Sequence, residues 1–230
     1  MRKISLVLGL LALLLLPFSS MSRAHGFPYC QQQHDDYLLA PGFALDGLTV
    51  VDCWNPHRDF YRDISATNAD GTVNQVVEIP AGTNDKFEVD EATGKMSWEL
   101  KNGVPRVITY LGYPGNYGMV PRTISGDGDS LDILTVGHFE RRATVLRVKV
   151  IGVLRLIDGG DIDDKLIAVV PGEELGDVDS LAELDARFAG VTAIIETWFV
   201  NYKGPGALQS GGFGDADEAW AVLQAAMAAY

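Results

Sequence analysis

The chain has 230 residues and sets 31 acidic side chains against 18 basic ones, a formal charge of −13. That balance excludes a protein that grips nucleic acid or an anionic membrane through its own charge, because positive side chains must meet phosphate. An anionic ligand can be held only through a local basic cluster or through bound cations.

Residues 1–24 have the layout of an export signal. Arg2 and Lys3 precede an almost unbroken apolar run, Ile4 to Leu16, which Pro17 ends; Ser22-Arg23-Ala24 then offers the small residues a signal peptidase accepts. The run is shorter than the ~20 residues a helix needs to cross a bilayer. The protein is therefore expected to be exported, periplasmic or secreted, with no membrane attachment once the signal is cleaved. Cleavage would remove Arg2, Lys3 and Arg23, moving the charge to −16 and leaving 206 residues, enough for one well-buried domain.

Residues 25–70, rich in Asp, Asn, His and aromatics, have no regular period and are expected to wrap as an extension on a domain spanning 71–230. Two cysteines in an exported chain favour one disulfide, Cys30 to Cys53. The four histidines (His25, His34, His57, His138) lack the spacing of a transition-metal site.

From Val76 the texture changes to short alternating segments bounded by Gly, Pro and Asn, which predicts β-strands. Leu146 to Val150 alternates apolar and basic residues as a half-buried strand does, and Lys165 to Val170 predicts another strand. Asp90-Glu91-Ala92-Thr93-Gly94 predicts a turn between two strands. Ser180 with Glu183 predicts a capping box, and Leu181, Leu184, Phe188, Val191, Ile195 and Trp198 follow at helical spacing. Asp215 with Glu218 opens a second helix carrying Ala219, Trp220, Leu223 and Met227. Strands first and helices afterwards predict an α+β fold, a small closed barrel with helices packed outside.

The segment with most chemical content is Asp127-Gly128-Asp129-Ser130-Leu131-Asp132. Three carboxylates in six residues cannot all ionise close together without compensation. They are either solvated loop side chains or converge on hard divalent cations, which prefer carboxylate oxygen. An EF-hand is excluded, since its sixth and twelfth positions would be Asp132 and His138 instead of Gly and Glu. A second acidic cluster, Asp158, Asp161, Asp163 and Asp164, follows the apolar run Ile151–Ile157 and ends at Lys165. Two such clusters at strand ends allow one shared metal site, although acidic runs are commonly just solvated faces.

Three more segments carry candidate ligands, each with an ordinary structural reading beside it. Lys86 and Glu88, following Glu78-Ile79-Pro80, share a strand face and could be only an ion pair. Tyr113-Pro114-Gly115-Asn116-Tyr117-Gly118, with Arg106 upstream, could be packing tyrosines. Tyr202-Lys203 could be a helix end with a lysine favoured by the dipole.

Taken together and in order, these segments resemble the family I soluble inorganic pyrophosphatases. The matching pieces are Glu78-Ile79-Pro80, Lys86-x-Glu88, Tyr113-Pro114-x-Asn116-Tyr117-Gly118, Asp127-Gly128-Asp129-Ser130-Leu131-Asp132, Ile151-Gly152-Val153-Leu154, Asp158…Asp163-Asp164-Lys165 and Tyr202-Lys203, within about residues 76–204. The resemblance implies a five-stranded OB-like β-barrel with flanking helices, pyrophosphate as substrate, and three or four Mg²⁺ ions at the barrel mouth. It further implies Asp127, Asp132, Asp158 and Asp163 as metal ligands and Asp129 as the base that deprotonates the attacking water. Lys86, Arg106, Tyr117, Tyr202 and Lys203 would bind the phosphates. Glu78 and Glu88 would form an acidic rim reaching the metals through water, with Lys165 near the metals and Tyr113 in support. A homo-oligomer is expected.

Gly159 stands where the family usually has a second carboxylate, and residues 25–54 have no counterpart in its usual cytoplasmic members. The alternative from a different class is a non-catalytic exported barrel that binds divalent cations or phosphate. Asp129, Lys86, Tyr117 and Lys165 argue against it, because a binding module needs ligands but no general base.

Overall fold

The computed structural model describes residues 38–230; the expected signal segment and Cys30 lie outside the described residues. The strands in chain order are β1 (Phe43–Asp46), β2 (Thr49–Asp52), β3 (Val73–Ile79), β4 (Phe87–Asp90), β5 (Lys95–Trp98), β6 (Leu100–Lys101), β7 (Val104–Pro105), β8 (Asn116–Met119), β9 (Asp132–Val136), β10 (Val145–Asp158), β11 (Asp161–Ile162) and β12 (Lys165–Val169). Helices α1 (Leu181–Arg187) and α2 (Val191–Asn201), strand β13 (Leu208–Gly214) and helix α3 (Ala216–Ala229) follow.

Five strands close a ring, in the order β3, β8, β9, β12, β10 and back to β3. All contacts in it are antiparallel except β9 with β12. β10 closes it because its 14 residues serve two partners: Val145–Val148 pair with β3 and Lys149–Leu154 with β12. The predicted alternation holds over the first part, where Leu146, Val148 and Val150 are buried and Val145 and Arg147 exposed. It then stops, since Ile151 to Leu154 are all buried. There one face joins the cluster that holds Leu184, Ile195 and Phe199 of α1 and α2, and the other joins the cluster that holds Ala219, Leu223 and Ala226 of α3.

Ring closure also explains a glycine in the aromatic segment. A Cβ on Gly118 would come 1.9 Å from the Val76 carbonyl oxygen of β3, so β8 can approach that strand only without a side chain there.

The structure corrects the expectations at three places. Residues 38–70 are not merely irregular: β1 and β2 form a hairpin that joins a four-stranded antiparallel sheet in the order β1-β2-β5-β4. Val50 of this hairpin is buried with Phe60, Phe87 and Met96, burial that supplies the driving force.

The first helix is two. α1 ends at Arg187, and α2 starts after Gly190, whose φ of 87° no right-handed helix can accommodate. Phe188, counted in the apolar stripe, is 45 % exposed between them. At α1 Ser180 accepts from the Glu183 N–H, while the Glu183 carboxylate accepts from Asp179 instead of closing the box; at α3 the Asp215/Glu218 box is complete.

Strands also do not all precede helices. β13, with its Ser-Gly-Gly-Phe-Gly sequence, returns between α2 and α3 to pair with the far half of β10. Its composition has little β-propensity, so the open edge of β10 specifies it.

Candidate active site

Three pairs of elements deliver the predicted residues to one cavity of about 640 Å³. The parallel pair β9 and β12 starts level, with Asp132 opposite Lys165. The loop before β9 carries Asp127 and Asp129, the residues before β12 supply Asp163, and β10 ends in Asp158. The hairpin β4–β5 brings Glu88, with Lys86 just ahead of it, and the C-terminus of α2 brings Tyr202 and Lys203. Glu78, Arg106 and Tyr117 complete the lining. Of the predicted set only Tyr113 stays off the wall. It is 2 % exposed, and its ring lies 4.3 Å from that of Trp198 and 4.9 Å from that of Tyr117. Trp198 also stacks on Tyr202 one helical turn later, at 4.7 Å and 10°, which fixes the ring at the cavity edge.

Ten carboxylates and four cationic side chains line this space, so its electrostatics are dominated by uncompensated acid. Lys165 is buried, and its ammonium pairs with both Asp132 and Asp163. Burial would lower its pKa, but those two carboxylates hold it well above the usual lysine value. Burial is the main cause that pushes Asp163 up to about 6; Lys165 opposes this while Asp132 and Asp127 add to it. Lys203 pairs with Asp158.

Asp129 accepts through its carbonyl oxygen from Ser125 N–H at 2.7 Å and donates its own N–H to Asp127 Oδ1 at 3.1 Å. Its carboxyl is raised by burial first and then by Glu91, Asp127 and Asp132. Glu88 stands at the rim with its side chain 45 % exposed, but Glu78 lies deeper than a rim position, 4 % exposed, with Oε1 accepting from Val89 N–H at 2.6 Å. Burial, helped by Asp132 and Glu91, raises Glu78 to about 8. Lys86 is buried beside Glu88 and 3.7 Å from Glu99; burial pulls its pKa down against Asp132, Glu99 and Glu78. Tyr117 is pushed well above the normal phenol range by burial and then by Asp132, so it stays a hydrogen-bond donor at any ordinary pH.

Of the second acidic cluster, Asp164 turns away and accepts from Leu156 N–H at 3.1 Å, and Asp161 is exposed on β11. Three cavity acids were not anticipated: Asp90, Glu91 and Glu99. Glu99 holds Arg106 through both carboxylate oxygens, 2.9 and 2.8 Å from NH1. A signal for it exists: Asn102-Gly103, with φ of 56° and 78°, is the dipeptide of a tight hairpin and sets β6 against β7, which brings Glu99 beside Arg106. Glu91 lies in the β4–β5 turn and bonds Ser130; no local pattern announces that contact.

The donor set fits a hard divalent cation in its chemistry: oxygen ligands only, in excess, and at Glu78, Asp129 and Asp163 burial and neighbouring carboxylates oppose ionisation. As the side chains stand, no three carboxylate, histidine or cysteine groups among the described residues gather closely enough to hold an ion. Lysine ammonium groups lie against Asp132, Asp163 and Asp158. No helix among the described residues is long and apolar enough to cross a membrane.

The family model described as inorganic pyrophosphatase matches residues 75–230. Inorganic pyrophosphatase 2 of Pseudomonas syringae pv. tomato is 36% identical over 177 residues, covering 74% of this chain and 94% of the relative. Inorganic pyrophosphatase of Drosophila melanogaster is 34% identical over 152 residues, 57% of this chain, and the match spans only 45% of that longer protein. Among solved structures, the type I inorganic pyrophosphatase from Toxoplasma gondii superposes with a TM-score of 0.72 at 27% identity, over 79% of this chain and 91% of that one. Inorganic pyrophosphatase from Thermus thermophilus gives 0.65 at 28% identity, over 75% and 99%.

Proposed function

Since this chain belongs to the inorganic pyrophosphatase family, we propose that it hydrolyses inorganic pyrophosphate to two phosphates with the help of divalent cations, generally Mg²⁺. The observation that carries this is the meeting of the Asp127–Asp132 loop, Asp158 and Asp163 with Lys86, Arg106 and Lys203 around one cavity. A binding site for a free cation needs no such cationic side chains, and a site for a polyanion has no use for so many acids unless cations accompany it.

Asp127, Asp132, Asp158 and Asp163 would hold the ions, three or four in number. When bound, Mg²⁺ would supply neutralisation of phosphate oxygens and a more acidic water. Asp129 takes the proton of the attacking water as its oxygen bonds to one phosphorus and the bridging P–O bond breaks. Lys86, Arg106, Lys203, Tyr117 and Tyr202 donate to the phosphate oxygens, where negative charge accumulates as the leaving phosphate departs. Lys165 holds Asp132 and Asp163 in place, Glu88 stands at the rim, and Tyr113 and Glu78 support from below.

The five-strand ring with its three helices fits an OB-like barrel. Export rests on the pattern of residues 1–24, and one disulfide, Cys30 to Cys53, would tie the extension down. A homo-oligomer is part of the same reading.

Phosphate release from pyrophosphate tests the activity: two phosphates per substrate are expected with Mg²⁺ and none with chelator. Tight Mg²⁺ or phosphate binding without turnover would favour the non-catalytic barrel instead. For the compartment, the exported protein should begin at His25 and resist thiol alkylation; two alkylatable cysteines in freshly exported protein would refute the bridge.

A further inference from the structure

Glu91, first residue of the turn between β4 and β5, reaches across the cavity mouth to the loop that carries Asp129. Its Oε1 accepts from Ser130 N–H at 3.0 Å and from Ser130 Oγ at 2.8 Å. Ser130 is buried, follows Asp129 directly, and precedes Asp132 by two residues. The other bonds within residues 125–131 are local, while just ahead of them Ile124 N–H donates to the Ala226 carbonyl of α3 at 2.9 Å. Ser125 N–H meets the Asp129 carbonyl, Asp129 N–H meets Asp127, and Leu131 N–H meets Thr123 Oγ1 at 2.9 Å. Those bonds shape the loop but do not set its position against the hairpin that presents Glu88.

The turn holding Glu91 is itself clamped. Arg62 NH2 donates to the Glu91 carbonyl at 2.5 Å while its NH1 donates to Asp59 at 2.8 Å. The neighbouring Tyr61 hydroxyl donates to the Thr123 carbonyl at 2.7 Å, on the side where the Asp loop begins. Residues 59–62 therefore bridge the turn and the loop, and they lie ahead of residue 75, where the family match starts.

We infer that Glu91 is a positioning residue: its carboxylate ties Ser130 to the β4–β5 turn, and so fixes where Asp129 stands relative to the phosphate-binding side of the cavity. The inference rests on the reading of Asp129 as general base. The tether needs an acceptor oxygen and not a charge, so a glutamine at this place serves equally well.

The test compares Glu91→Ala, Glu91→Gln, Ser130→Ala and the double Ala variant in the full chain. Glu91→Ala should lose about 10- to 100-fold in kcat, as removal of a group that orients a working ligand does. Its KM for Mg-pyrophosphate should stay within about threefold, because phosphate-binding side chains are untouched. Glu91→Gln should keep nearly all the activity. In metal-free protein, hydrogen exchange at the Ser130 amide should quicken in Glu91→Ala and not in Glu91→Gln. Ser130→Ala should show a smaller loss that disappears in the Glu91→Ala background, as expected for two members of one bond.

Wild-type kcat and wild-type Ser130 protection in Glu91→Ala would overturn the inference. So would a Glu91→Gln as impaired as Glu91→Ala, since charge would then be what matters. If Glu91→Ala fails to fold, Ser130→Ala decides alone: unchanged kcat and exchange reject the tether. An inactive wild-type protein would sink the proposed function, yet the metal-free exchange measurement would still read the tether.

Discussion

Lys165 opens β12 directly opposite Asp132, which opens the parallel strand β9, and its buried ammonium pairs with the carboxylates of both Asp132 and Asp163. Parallel register puts two strand starts at one level, so the acid of one strand and the base of the other meet. Side-chain exposures of 3 % for Lys165 and 12 % for Asp163 mark this as an interior arrangement.

Removing the cation from that arrangement should be costly. Lys165→Met leaves Asp132 and Asp163 facing each other, and breaking a buried ion pair from one side typically costs about 3–5 kcal/mol. Urea unfolding in EDTA should show a loss of that order, and saturating Mg²⁺ should shrink it by supplying positive charge. Equal stability of the variant and wild type in EDTA would mean that the pair contributes nothing.

Asp129→Asn should fold and bind cations much as wild type does, but lose on the order of 10²–10⁴ in kcat, the usual contribution of a general base. Steady-state kinetics with a melting curve alongside checks both halves. A variant that keeps wild-type turnover at neutral pH rejects Asp129 as the base.

Divalent cations should stabilise the native state well beyond salt. At a free concentration 100 times its dissociation constant, one site adds about 2.7 kcal/mol by mass action. MgCl₂ should therefore raise Tm clearly, and Asp132→Ala should remove much of the rise. Sodium chloride at matched ionic strength is the control, since screening also relieves repulsion; equal shifts with both salts would reduce the acidic cavity to a solvated face.

Glu78 gives the metal-free protein a pH dependence of opposite sense to that of most surface carboxylates. Its folded pKa, about 8, lies above its unfolded value, so the native state binds a proton more tightly than the unfolded chain. Its contribution is fully present below pH ~4.5 and is lost as the pH rises toward 8, because stability falls wherever the native state holds the extra proton. In EDTA, wild type should lose stability between pH 5 and 8, on the order of a few kcal/mol at 1.36 kcal/mol per pKa unit. Glu78→Gln should flatten that slope; an unchanged slope in the variant would assign the dependence to other groups.

Local chemistry makes much of this protein legible in its sequence. Period-2 alternation marks Leu146–Val150, capping residues mark Ser180 and Asp215, and the motif residues name thirteen of the side chains that line the cavity. These signals are readable because each depends on residues within a few positions of one another. Tertiary structure decided what depends on distant partners. The hairpin of residues 43–52 is fixed by burial against Phe60, Phe87 and Met96, and β13 by the free half of β10, although its own sequence is mostly glycine and serine. The depth of Glu78, the pairing of Lys165 with Asp132, and the reach of Glu91 to Ser130 span 11 to 39 residues of chain. Contacts at such separations follow from ring closure and strand register, which no local pattern of side chains encodes.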